Sequence, residues 1–158
     1  MLAFQALFHQ LDQVTGTRAK VLLLVEHFRS VPAADAAWCL VLLLGKRKRR
    51  LITGRRLRTI LEQRGGIPEW LIAECHAQVG DSAETITLLW PAVSSKVEPV
   101  QSDLPTIPEH QPLHWWMDTL LPTVSSLKDD AEADAVLELW QSIPGNQHFV
   151  MNKLLTGG

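Results

Sequence analysis

The stretch that most limits how this chain can fold is PAADAAWCLVLLLG, Pro32 to Gly45. Its core, AAWCLVLLL, is nine residues long. A membrane-spanning helix needs about twenty apolar residues, so this run cannot cross a bilayer. It must instead be a helix covered by other parts of the chain. Pro32 stands where a first helical residue belongs and Gly45 where a helix stops. The reading is a central core helix with Trp38 inside it.

The covering segments also carry helical spacing. Phe4, Leu7, Phe8 and Leu11 predict a helix over 3–13. Val21, Leu22, Val25 and Phe28 predict the inner face of a second, capped by Thr15 or Thr17 and ending near Arg29. Thr53 predicts a cap for a helix over 54–64, with Leu57, Ile60 and Leu61 inward and Arg55, Arg58 and Glu62 on another face. Arg58 and Glu62 stand at i,i+4, a pairing distance on a helix. Gly65 and Gly66 end that helix. Pro68 opens another, through Trp70, Leu71 and Cys75 to about Val79. Asp81 followed by Glu84 has capping-box spacing, and Pro91 closes the unit it opens.

Residues 91–112 hold five of the nine prolines and predict an extended connector. Helices are predicted over 113–121, 127–142 (Ser126 and Asp129 as caps) and 145–156. No segment alternates as a strand would, and no repeat occurs. The predicted fold is all-α: one domain over 1–158, an irregular multi-helix bundle of eight or nine helices with a proline-rich connector.

Several chemistries find no support. Two cysteines, Cys39 and Cys75, are too few for a disulfide framework, and their apolar helical settings predict buried free thiols of a reducing cytosol. The WLIAEC pattern makes Cys75 a structural thiol, since a buried thiol is inert. His110 and His114 are separated by Pro112, and Cys75 and His76 are adjacent, so no zinc spacing forms. There is no G-x-S-x-G, G-x-x-x-x-G-K-[ST] or G-x-G-x-x-G. No catalytic or metal-binding residue is expected. The start MLAFQALFHQ lacks the features of a signal peptide. Trp38, Trp70 and Trp90 fall in apolar periodic positions and predict core. Trp115 and Trp116, being adjacent, cannot share one face.

Charge is divided unevenly. Residues 1–64 carry twelve Lys/Arg and four Asp/Glu, a net of +8. Residues 65–158 carry three and thirteen, a net of −10. Eight cations fall within thirteen residues, in the run GKRKRRLITGRRLR at 45–58. Such a cluster points to a polyanion, with neutralisation by the acidic half as the plain alternative. The run reads as a loop over 46–52 that feeds a helix with outward arginines.

The ordered blocks TGTRAK (15–20), DAAWCLVLLLGKRKRR (35–50), LR (57–58), GIPEWLIAEC (66–75), GDSAETITLLWP (80–91) and NKLLTGG (152–158) resemble the N-terminal DNA-binding domain of bacterial ATP-dependent DNA ligases. The resemblance implies an all-helical domain along the minor groove of nicked duplex DNA. It implies that catalytic nucleotidyltransferase and OB-fold domains, which use ATP and magnesium, lie C-terminal to this chain. There a K-x-D-G lysine takes AMP from ATP and passes it to the 5′-phosphate before the 3′-hydroxyl seals the strand. No lysine here stands in K-x-D-G. Lys128, in KDDA, comes nearest and reads as an exposed lysine near a helix start. The chain is therefore expected not to ligate alone and to need no cofactor itself. A monomer is expected in a bacterial cytoplasm, serving DNA repair, replication or recombination.

On that resemblance Arg47, Arg50 and Arg58 are the first candidates for phosphate contact. Lys46, Arg49, Arg55 and Arg56 come second. Lys153, Thr156 and Gly157 follow, because NKLLTGG lies at the junction with the catalytic part. Arginine outnumbers lysine, and its forked donors match phosphate oxygens. The alternative is a protein-interaction module whose basic loop docks an acidic partner. An anionic membrane surface has only Leu51 and Ile52 as anchors beside the charges.

Overall fold

A computed structural model describes residues 1–46, 50–107 and 110–157. Its α-helices are α1 (Leu2–Gln13), α2 (Thr17–Ser30), α3 (Ala33–Leu43), α4 (Gly54–Gly65), α5 (Glu69–Val79), α6 (Ser82–Leu89), α7 (Leu113–Trp115), α8 (Leu121–Ser126), α9 (Asp129–Ser142) and α10 (His148–Thr156). A π-turn covers Trp116–Leu120, and 3-10 turns cover Trp90–Ala92, Ser94–Lys96 and Gly145–Gln147. Among the described residues no strand occurs, and nine helices exceed a single turn. The all-α expectation holds. The chain forms two compact units, one of Met1–Lys48 with Pro108–Leu120, the other of Arg49–Ile107 with Leu121–Gly158.

In the first unit α1 packs on α2, α2 on α3 and α3 on α7. Phe4 and Leu7 of α1 are buried. The buried Asp35 carboxylate accepts the His114 amide at 2.8 Å and faces its ring Nδ1 at 2.5 Å, tying the start of α3 to α7. Trp116 is fully buried and donates to Gln111 Oε1, while Trp115 is half-buried.

Two expectations fail in this unit. Val21, Leu22 and Val25 are exposed; α2 buries His27 and half-buries Leu23, Leu24 and Phe28. The helix therefore turns inward a stripe about a third of a turn round, which shares only Phe28 with the predicted one. Thr17 is its first residue, after Gly16, and no side chain caps it. Nor is α3 a central core helix: only Asp35 and Cys39 are buried, and Leu40, Leu43 and Leu44 are exposed. Trp38 is half-buried, its Nε1 donating to Asp118 Oδ1 at 3.1 Å. A run apolar all round cannot indicate which side its neighbours cover. Burial pushes the Cys39 thiol up to about 11, as expected for an inert group; Cys75 is half-buried rather than buried.

In the second unit α6 is the centre, packed by α4, α5 and α10, while α9 lies on α4 and α8. Leu57, Ile60 and Leu61 of α4 are completely buried, as their spacing predicts. Trp90 and Trp140 meet at 5.4 Å between ring centroids, and Trp140 Nε1 donates to Asn152 Oδ1 at 2.9 Å. Thr53 Oγ1 caps α4 by accepting the Arg56 amide. Gly66 (φ 70°) and Gly80 (φ 77°) close α4 and α5 in the left-handed region that favours glycine. The pair proposed for α9 does not form: Ser126 Oγ donates back to Thr123 O, and Lys128 holds the cap position. Trp70 is 69% exposed, not core. It stands two residues from buried Ile72, about 200° round the helix. The connector runs along α9, which grips its main chain. Gln141 accepts the Val100 amide and donates to Glu98 O, and Glu138 accepts the Ser102 amide.

His148 is buried with Nε2 2.8 Å from Ile143 O. Burial lowers its pKa, outweighing the backbone hydrogen bonds that raise it. Burial lowers His27 in the same way, with Asp35 opposing. Both rings therefore take up a proton less readily in the fold, and acid protonates the unfolded chain first. Stability should fall as pH drops below about 6.5 and level off below the folded values. Thermal melts between pH 5 and 7.5 should show a falling Tm toward acid, with a shallower slope in His148→Gln. An unchanged slope in that variant would remove His148 from the account.

Candidate nucleic-acid interface

Three chain segments meet around the start of α4. The Leu51 and Ile52 amides both donate to Leu155 O, at 3.2 and 3.1 Å, joining the basic loop to the last turn of α10. Gly54 abuts Ser82 at the start of α6, where an added Cβ would lie only 2.5 Å from Ser82 Oγ. Arg58 Nη1 donates to that same Oγ at 2.7 Å. Lys153 pairs with Asp81, whose other oxygen caps α6 by accepting the Glu84 amide at 3.0 Å. One end of the second unit therefore gathers Arg50, Arg55, Arg58 and Lys153 from two regions about a hundred residues apart in sequence.

The cations differ in what holds them. Arg50 and Arg55 are exposed. Arg58 is half-buried; burial and then the Arg55 charge lower its pKa, though a guanidinium remains cationic at neutral pH. It bonds Ser82 in place of the ion pair with Glu62 that the i,i+4 spacing suggested. Arg55 and Arg58 open onto a groove of about 480 Å³ between α4 and α5, lined also by Glu62, Glu69 and His76. Arg56 faces away from this groove toward α9. Its Nε meets Glu132 at 2.8 Å and its Nη2 donates to Asp129 O, where the backbone adopts φ 53°. Arg56 is a clamp between α4 and α9.

Lys153 is occupied by Asp81 and lies over the Phe149 ring. Burial would raise the Asp81 carboxyl, but Lys153 and the amides of Glu84 and Ala83 outweigh it and hold it below its ordinary value. The Thr156 hydroxyl donates within α10 to Asn152 O, and the Gly157 amide closes that helix on Lys153 O. Lys46 is exposed and belongs to the first unit, following Gly45 at φ 62°. Arg47 and Arg49 lie outside the described residues. Sequence reasoning missed Ser82 as the Arg58 partner and gave Asp81 only its cap. No local pattern signals either contact, since the partners are 24 and 72 residues apart.

A family model described as DNA ligase N terminus matches residues 1–158. This chain belongs to the DNA ligase N-terminus family. No curated protein and no solved structure matches it. For a DNA ligase N-terminal chain, exposed arginines flanking helix starts suit phosphate oxygens, because backbone amides there also favour anions. ATP and metal use belong to the full enzymes of such a family. Among the described residues, no group of three or more His, Cys, Asp or Glu converges as metal ligands would. K-x-D-G does not occur in the sequence. Among the described residues, no helix is long and apolar enough to cross a membrane.

Proposed function

We propose that this chain holds duplex DNA around nicks, without reading sequence, as the N-terminal part of an ATP-dependent ligase that seals 5′-phosphate/3′-hydroxyl breaks. The observation that carries the reading is the convergence of the 50–53 loop, the start of α4, the start of α6 and the end of α10 on one basic end. An enzyme that must accept any nick gains from phosphate and sugar contacts, which position a duplex without specifying bases. Arg50, Arg55 and Arg58 are the described residues best placed for this role. Arg47, Arg49 and Lys46 remain candidates from their place in the basic run alone. Lys153 can reach a phosphate only by leaving Asp81. Arg56, Thr156 and Gly157 are engaged inside the protein and contribute shape. ATP, magnesium and the attacking lysine belong on this reading to catalytic domains beyond this chain. A monomer in a bacterial cytoplasm, acting in repair or replication, completes it.

Fluorescence anisotropy with intact and singly nicked duplexes of two sequences tests the proposal. Nicked DNA should bind more tightly than intact DNA, and the two sequences should bind alike. The logarithm of the binding constant should fall linearly with the logarithm of salt, about 0.9 per phosphate contact. A flat salt response, or polyglutamate binding as tightly as DNA, would favour an acidic protein partner instead.

A further inference from the structure

We infer that the outward faces of α5 and α6 form a docking surface for a cationic, apolar segment of another protein, with Trp70 as its anchor. This goes beyond DNA binding and does not rest on it. Trp70 has the most exposed large apolar side chain in the described residues, at 69%. Leu71 and Leu88 are exposed as well. A tryptophan is usually much more covered than this, and tryptophan is a frequent anchor of protein interfaces.

α5 and α6 are joined through Gly80 and Asp81 and pack on each other. Thr85 Oγ1 lies 3.5 Å from His76 Nδ1, so α6 folds back beside the last turn of α5. Leu88 is two residues from fully buried Ile86, as Trp70 is from buried Ile72. Each therefore stands about 200° from its helix's inward side.

Charge selects the occupant. No Lys or Arg occurs between Arg64 and Lys96, while Glu69, Glu74 and Glu84 are all exposed. Arg55 and Arg58 share the α4–α5 groove with Glu69, so Glu74 and Glu84 set the sign of the outward face. Phosphate rails and anionic lipid are both repelled by a face of this sign. Lysines or arginines interleaved with leucines fit it: the cations pair with glutamates, and one can lie on the indole face.

The full chain should be titrated against a fluorescein-labelled 18-residue amphipathic helix of Leu and Lys, followed by anisotropy. Saturable binding is expected. Trp70→Ala should weaken it roughly tenfold, as loss of an interface anchor does. Glu74→Gln should weaken it less, with DNA affinity and Tm unchanged in both variants. A Leu/Glu peptide of the same design should not bind. The proposal is overturned if the Leu/Lys peptide does not saturate, if Trp70→Ala binds equally, or if the Leu/Glu peptide binds as well. It is also overturned if Trp70→Ala abolishes a concentration-dependent dimer in light scattering, since the occupant would then be a second copy.

Discussion

Replacing Arg50, Arg55 and Arg58 together with alanine should weaken duplex binding strongly at low salt and make what remains much less salt-sensitive. Each phosphate contact contributes about 0.9 to the slope of log affinity against log salt, so three lost contacts remove about 2.7. Between 50 and 200 mM salt the loss of affinity should therefore shrink by about 40-fold relative to the parent chain. Arg56→Ala is the internal control. Its guanidinium is held by Glu132 and the Asp129 carbonyl, so its loss should lower stability by about 1 kcal/mol and leave the slope alone. A triple variant with the parental slope, or an Arg56→Ala slope as reduced as the triple's, would refute the assignment of phosphate contacts.

Gly54→Ala should be the most damaging single-methyl change in the second unit. The new Cβ would lie 2.5 Å from Ser82 Oγ and 2.9 Å from Ser82 Cβ. Rotating Ser82 can move its Oγ, at the cost of the Arg58 hydrogen bond. Its Cβ cannot move without shifting α6, which packs against α4, α5 and α10. Overpacking of this kind costs about 1–3 kcal/mol. In a chain of this size that lowers Tm by about 2–4 °C per kcal/mol. Ser82→Gly should restore the melting temperature of Gly54→Ala, whereas Ser82→Ala should not, because its Cβ remains. Rescue by Ser82→Ala would show that the hydroxyl alone, not helix-to-helix approach, sets the constraint.

What could be read from sequence was local. The Thr53 and Asp81 caps, the Gly66 stop and the Leu57–Ile60–Leu61 stripe each depend on residues within one or two turns, and each is present. What could not be read was which of two apolar stripes a neighbour covers. Val21, Leu22 and Val25 have the spacing of an inner face, yet α2 turns His27 inward. Trp70 fits the same periodic pattern and faces out. The candidate site divides likewise. That cations cluster at 46–58 is plain in the sequence. That Arg56 is held by α9 and Lys153 by Asp81 depends on tertiary contacts 76 and 72 residues apart, which no local window contains.

The way α9 grips the connector has its own consequence. Gln141 and Glu138 take hold of amides and a carbonyl at 98–102, groups that every residue except proline can offer in full. Apart from Ser102, whose hydroxyl also donates to Glu138, the strap's own lettering is therefore free to drift over time while its course stays put. The memory of that course is kept in two side chains on the helix beneath it, where a change such as Gln141→Leu would unfasten a segment lying some forty positions upstream.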